Sequence, residues 1–193
     1  SESYDQLVIS IGSNCNDFNT PGVAEHAQFL EQSRQAQNFH RQLVNYFIRL
    51  NRDLIDDPDK ILNIVIVGGG ATGVELSAEL FNARELFALY GLDRVTPEHM
   101  RVTLLEAGPR LVPALAEHVS ESVRAELTKL GADIRLDTRV AKAVENAFIT
   151  ASGETIDADL MLWAAGVKVP DFVAEIEGLE TNRINQILVR PTM

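Results

Sequence analysis

Nothing in this chain narrows its fold more than the point where the apolar run Ile61-Leu62-Asn63-Ile64-Val65-Ile66-Val67 stops at Gly68-Gly69-Gly70, before Ala71-Thr72-Gly73-Val74-Glu75. A buried strand, a tight turn and a helix start are written there in succession. Gly68, Gly70 and Gly73 keep the spacing G-x-G-x-x-G. In that pattern the first glycine permits the turn, the second lets a pyrophosphate approach the backbone, and the third lets the helix pack close to its strand. A helix starting near Ala71 aims free N–H groups and the positive end of its dipole at such a phosphate.

Glycine-rich turns are common, so the spacing alone is a weak signal and its context carries the weight. Val74 to Tyr90 reads as a helix with Val74, Leu76, Ala78, Leu80, Phe81 and Leu86 apolar. Arg101-Val102-Thr103-Leu104-Leu105-Glu106 reads as a second strand ending in an acid. An acid at this place in a dinucleotide site accepts hydrogen bonds from the adenosine ribose and repels a 2′-phosphate, usually about 20 residues beyond the glycines. The gap here is longer, and Gly91 to Met100, with Pro97 and several charges, reads as a helix extension and loop that takes up the excess. Two readings of Glu106 stand at this stage, the ribose acid and a plain charged strand end.

The 193 residues suffice for one well-buried domain, or a domain with an appendage. Acidic residues outnumber basic ones 28 to 17, and the net charge of −11 argues against a nucleic-acid partner; solubility is its blander explanation. Cys15 is the single cysteine, which excludes an internal disulfide and a C-x-x-C pair and fits a reducing cytoplasm. No apolar run approaches the ~18 residues of a membrane span, and Ser1-Glu2-Ser3 does not open a signal peptide, so a soluble, cytoplasmic chain is expected. His26, His40, His99 and His118 show no metal-ligand spacing, and no metal site is expected.

Elsewhere, Leu7-Val8-Ile9-Ser10-Ile11 reads as a short strand, and Glu25 to Ile55 as a helix with Ala36, Phe39, Leu43, Phe47 and Leu50 along one face, covering a sheet or a partner domain. Asp56-Asp57-Pro58-Asp59 is a polar break. Ala116 to Leu130 is amphipathic through Val119, Val123, Leu127 and Leu130, and Gly131 ends it as a C-cap glycine. Ala132 to Leu136 reads as a third strand. Val140 to Glu145, Ala147 to Ala151 and Thr155 to Ala158, with a hairpin turn at Ser152-Gly153, read as an antiparallel meander placed as a crossover. Leu160 to Val167 is then a buried strand whose Ala165 and Gly166 leave room for another group near the backbone.

The segments Val67 to Leu80, Leu104-Leu105-Glu106-Ala107 and Leu162-Trp163-Ala164-Ala165-Gly166-Val167 resemble the NADH-binding half of two-dinucleotide-domain flavoproteins, and within these most resemble the type II NADH dehydrogenases, membrane-peripheral NADH:quinone oxidoreductases. Tyr4 to Ser13 is similar to the segment in which such proteins pass from flavin domain to nicotinamide domain. The resemblance implies an α/β, Rossmann-like FAD/NAD(P)-binding domain: a parallel sheet with helices and a three-stranded antiparallel meander as crossover. It implies a single NADH-binding domain over 1–193, excised from a larger flavoprotein. Residues 1–57 would form the entry strand, loop and covering helix, 58–168 the βαβ core with meander, and 169–193 the exit segment. The N-terminal FAD glycine motif, the later Gly-Asp element and the C-terminal amphipathic anchor of the family have no counterpart in the sequence. The fragment is therefore expected to be inactive alone, its parent peripheral on the cytoplasmic face of the membrane.

Carried across by position, the resemblance puts pyrophosphate on the backbone of Gly70, Ala71 and Thr72, with Gly68 and Gly73 shaping the turn and Gly69 among the cofactor-binding positions. Glu75 matches the family acid facing nicotinamide and flavin, with a first-turn glutamate favoured by the helix dipole as the alternative. Glu106 would hold the adenosine ribose, Ala107 to Arg110 would line the adenine end, Val140 would border the adenine, and Ala165 and Gly166 would lie under the nicotinamide. Arg110 has three readings: a 2′-phosphate ligand admitting NADPH, a guanidinium stacked on adenine, or a surface arginine. No general acid or base is expected, because hydride passes directly from nicotinamide to flavin. The implied partners are NADH, a flavin domain of the same chain with its FAD, and quinone and membrane through other regions. Self-association is expected where removal of the flavin domain bares apolar surface. The alternatives are a related reductase with another acceptor, or a non-catalytic NAD(H)-sensing module docking through an exposed Phe39 and Phe47 helix.

Overall fold

The computed structural model of the chain describes residues 5–83, 87 and 90–191. Two compact units emerge, Asp17–Gly166 and a smaller one made of Ser1–Asn16 with Val167–Met193. The larger unit runs α1 (Val23–His26), α2 (Ser33–Asp53), β1 (Leu62–Val67), α3 (Ala71–Ala83), β2 (Met100–Leu105), α4 (Glu117–Leu130), β3 (Asp133–Arg135), β4 (Val140–Val144), β5 (Ala147–Thr150), β6 (Thr155–Asp157) and β7 (Leu160–Trp163).

Strands β3, β2, β1 and β7 form a parallel sheet in that order. The aliphatic run of β1 is explained by its place: it has a strand on either side, and Ile64, Val65 and Ile66 are buried. Strands β4, β5 and β6 form a separate antiparallel sheet, the expected meander, in the crossover between β3 and β7. Its hairpin turn uses Gly153 at φ +88°, and its buried Phe148 lies against Trp163 of β7, with ring centroids 6.3 Å apart.

Helix α2 covers the sheet. Phe39 and Phe47 are only 6% and 4% exposed, they share one core with Leu62, Ile64, Ile66, Leu160 and Leu162, and the Phe47 ring lies 4.4 Å from that of Phe87. The docking surface imagined for a sensing module is thus spent on the protein's own core. Ala36, expected on that face, is exposed, one turn before the buried stripe begins. The helix also starts later than its periodicity suggests. Gln28 is drawn into the sheet edge, donating its N–H to Met161 O at 2.8 Å and accepting from Trp163 N–H at 2.9 Å. After that bridge the chain restarts at Ser33, where Gln35 Oε1 accepts the N–H of Gln32 at 2.9 Å as part of a capping box.

Helix α4 ends as expected at Gly131, in the left-handed region at φ +101°. Helix α3 runs to Ala83; Leu86, and with it part of the expected continuation to Tyr90, lies outside the described residues, as does Tyr4. In the smaller unit, Leu7 to Ile11 does not form a strand, and Leu7 and Val8 stand 61% and 87% exposed. An extended apolar segment becomes a strand only when a neighbour accepts its ladder, and none of the described residues does so. The pairing in this unit instead joins Asn14 to Lys168 through two N–H···O bonds of 2.8 Å, beside a turn at Asp171–Glu175 that buries Val173.

Near the end of α2, Asp53 accepts from Lys60 at 2.7 Å and Arg52 at 2.8 Å, and the Lys60 bond, then that of Arg52, holds its carboxyl below the usual range. A carboxyl depressed in the folded state stabilises above its unfolded pKa and ceases to do so as pH falls through its folded value. Asp53→Asn should therefore lower the melting temperature slightly at neutral pH. The difference from the parent should vanish on acidification below the ordinary aspartate range, measured by thermal melts across pH. The raised pKa of Lys60 leaves the pair intact through mildly alkaline pH and loses it only as pH climbs through the lysine's own folded value. Among the described residues no helix is long and apolar enough to cross a membrane, and no group of three or more His, Cys, Asp or Glu could hold a metal ion.

Candidate functional site

The C-terminal ends of β1, β2 and β7 converge on the glycine turn. Gly68 N–H continues the β1–β2 ladder to Leu105 O at 2.8 Å, and Ala164 N–H continues the β1–β7 ladder to Val67 O at 2.8 Å. Gly68 has φ +113°, and a Cβ on it would stand 2.6 Å from Ala165 N. Both conformation and space therefore demand glycine at the first position. A Cβ on Gly73 would lie 1.9 Å from Gly68 O, so the first turn of α3 sits directly on the strand end. Gly70 is different: a Cβ there would meet nothing within 4 Å. Its missing side chain is not explained by packing, and it faces open space at the start of α3.

The first helical bond runs from Val74 N–H to Gly70 O at 3.1 Å, so the N–H groups of Ala71, Thr72 and Gly73 precede the ladder of α3. Glu75 is exposed and is the fifth residue of the helix, which has no acid in its first turn. Glu75 thus lies one turn into the helix, just past the turn in which the dipole favours an acid.

Glu106 follows β2 directly and reaches back to the turn. Its Oε2 accepts Gly69 N–H at 2.7 Å and its Oε1 accepts Gly108 N–H at 2.7 Å. Its own backbone is fixed from both sides, the N–H donating to Arg135 O at 2.9 Å and the carbonyl accepting Thr138 N–H at 2.8 Å. The carboxylate thus stands beside the glycine turn by construction, which a plain charged strand end would not require.

Sequence reasoning missed the loop that clamps this turn. Val112 N–H donates to Gly69 O at 2.7 Å, and the buried Leu111 side chain packs on Gly69. Val112 adopts φ +40°, an outlier for a β-branched residue and a place where strain is held by its surroundings. The buried Ser120 hydroxyl of α4 donates to Leu111 O. One signal was present in sequence: glycine at Gly69, a position the spacing leaves free.

The whole chain, residues 1–193, matches the family described as pyridine nucleotide-disulphide oxidoreductase. The chain belongs to that family. Among curated pyridine nucleotide-disulphide oxidoreductase relatives it is similar to the type II NADH:quinone oxidoreductase of Haemophilus influenzae, at 46% identity over 203 residues, covering 98% of this chain and 46% of that protein. It is also similar to the external alternative NAD(P)H-ubiquinone oxidoreductase B2, mitochondrial, of Arabidopsis thaliana, at 32% identity over 91% of this chain and 32% of the relative. In fold it matches NDH2 from Plasmodium falciparum, solved in complex with NADH, with a TM-score of 0.73 at 21% identity, over 90% of this chain and 36% of that one. The chain therefore spans less than half the length of these relatives.

Arg110 donates Nη1 to Leu115 O at 2.9 Å and Nη2 to Pro113 O at 2.7 Å, so its guanidinium braces the loop before α4. Ala107 is exposed, Val140 is buried at the start of β4, and Ala165, half-buried, lies against Gly68. Gly166 follows in a left-handed conformation at φ +71°.

Proposed function

We propose that this chain is the NAD(H)-binding domain of a flavin-dependent NADH:quinone oxidoreductase. The observation that carries the reading is the Glu106 carboxylate, hydrogen-bonded at 2.7 Å to the glycine turn whose Gly70 faces open space. The kinship with quinone-reducing relatives supports the acceptor. On this reading residues 1–193 are one domain of a larger flavoprotein, with 1–57 as entry and covering helix, 58–168 as core with meander, and 169–193 as exit. The parent protein carries FAD and works peripherally at the cytoplasmic face of a membrane, with quinone reached through its other regions.

Each residue then has a task. Gly68 and Gly73 shape the turn, and the backbone of Gly70, Ala71 and Thr72 receives the pyrophosphate at the helix start. Glu106 accepts the adenosine ribose hydroxyls while Gly69 keeps its N–H on the carboxylate. Ala107 and Arg110 line the adenine end with Val140, and Arg110 acts there through the loop it braces. Glu75 faces the nicotinamide side, over the small residues Ala165 and Gly166. The bound cofactor pair supplies direct hydride transfer; the chain's own residues bind and orient.

Fluorescence titration of the chain with NADH and, in parallel, NADPH tests this. Saturable binding is expected for both, with NADH tighter by about tenfold or more because Glu106 opposes a 2′-phosphate. Absence of binding to either nucleotide would remove the site reading, and equal affinities would remove Glu106 from it.

A further inference from the structure

The Glu106 carboxylate sits between two glycines. Gly69 and Gly108 each give it an N–H at 2.7 Å, and neither has a left-handed φ that would itself demand glycine. Space is the reason. A Cβ on Gly69 would lie 2.9 Å from both Cβ and Oε2 of Glu106 and 2.6 Å from Cδ2 of Leu111, and a Cβ on Gly108 would lie 3.2 Å from Oε1. The Glu106 backbone cannot retreat, being bonded to Arg135 and Thr138, and Leu111 is buried. At Gly108 the carboxylate is the one group that must yield, and at Gly69 the Glu106 side chain must shift together with the Leu111 methyl.

We propose that Gly69 and Gly108 are positioning residues for nucleotide selectivity: their N–H pair and missing side chains form a slot that holds the Glu106 carboxylate at the turn and so sets the discrimination between NADH and NADPH. The inference rests on the reading of Glu106 as the ribose acid. A methyl at either glycine displaces the carboxylate against its N–H donors, by a few tenths of an ångström at Gly108 and by more at Gly69. A displaced carboxylate accepts less well from the ribose hydroxyls and repels a 2′-phosphate less, so the two affinities move toward each other.

The test is titration of Gly69→Ala and Gly108→Ala with NADH and NADPH, with near-UV circular dichroism and thermal melts to establish folding. Gly69→Ala should reduce the NADH-over-NADPH preference by about tenfold, and Gly108→Ala by a smaller factor in the same direction. General damage to the turn would weaken both nucleotides alike, and an unchanged preference in folded variants overturns the proposal. Gly108→Ala, with its milder contact, keeps the test alive if Gly69→Ala does not fold. Glu106→Gln separates the proposal from its foundation. If that variant leaves the preference intact, the reading of Glu106 fails; if it shifts the preference while both glycine variants do not, only the slot fails. In the Glu106→Gln background, Gly69→Ala should have no further effect on preference, the non-additivity expected of residues acting through one group.

Discussion

Gly73→Ala should cost the larger unit most of its stability, more than about 4 kcal/mol, which places it among the exceptional single substitutions. Glycine inside a helix ordinarily gains about 0.5–1 kcal/mol on replacement by alanine, so propensity argues for the opposite sign. Geometry decides. The new methyl would stand 1.9 Å from Gly68 O, a backbone atom fixed on the end of a strand paired on both sides. Relief requires α3 to move off β1, and close-packed interiors do not absorb such a shift without opening contacts elsewhere. The buried Ser77 and Leu80 faces of α3 would lose their packing, and the Ser77 hydroxyl bond to Gly73 O at 2.7 Å would be disturbed with them. Urea unfolding of the variant against the parent measures the loss; a midpoint within error of the parent would mean that the close approach of helix and strand does not exist.

The strand, turn and helix around the glycines are legible in sequence because each is set by local chemistry: a strand buried on both faces shows a continuous apolar run, and the glycines mark conformations or approaches other residues cannot make. Gly131 and the meander are legible for similar reasons. Leu7 to Ile11 is not a strand because a short apolar run says that a segment could pair and not whether a partner accepts it. The start of α2 was misplaced by Gln28, whose bridge to Met161 and Trp163 depends on residues far along the chain. In the site, its place at the end of the second strand points to Glu106 in spite of the long gap from the glycines, and its bonds to Gly69 and Gly108 set it there. Val112 was hidden because its positive φ falls on a residue type that gives no turn signal, in a loop held by tertiary contacts with Gly69 and Ser120. Arg110 read as a ligand candidate from its position, while its bonds to two loop carbonyls arise from the fold of 110–115.

Gly70→Ala should have the complementary outcome: a fold left almost unchanged and nucleotide binding weakened by about 100-fold, roughly 2.7 kcal/mol. Gly70 does not adopt a left-handed φ, and an added Cβ would meet no atom within 4 Å, so nothing inside the protein opposes alanine there. The same methyl would project into the open space at the start of α3, where the proposed pyrophosphate must approach the backbone closely. Clashing with a phosphate would push it away from the N–H groups at the helix start and weaken the dipole contact that favours it. NADH and NADPH share the pyrophosphate, so both should weaken by a similar factor, in contrast to the unequal change expected at Gly69. A melting temperature close to the parent's together with lost binding of both nucleotides would separate Gly70 from the glycines that serve the fold. Full retention of NADH affinity in the folded variant would mean that the pyrophosphate does not lie over Gly70.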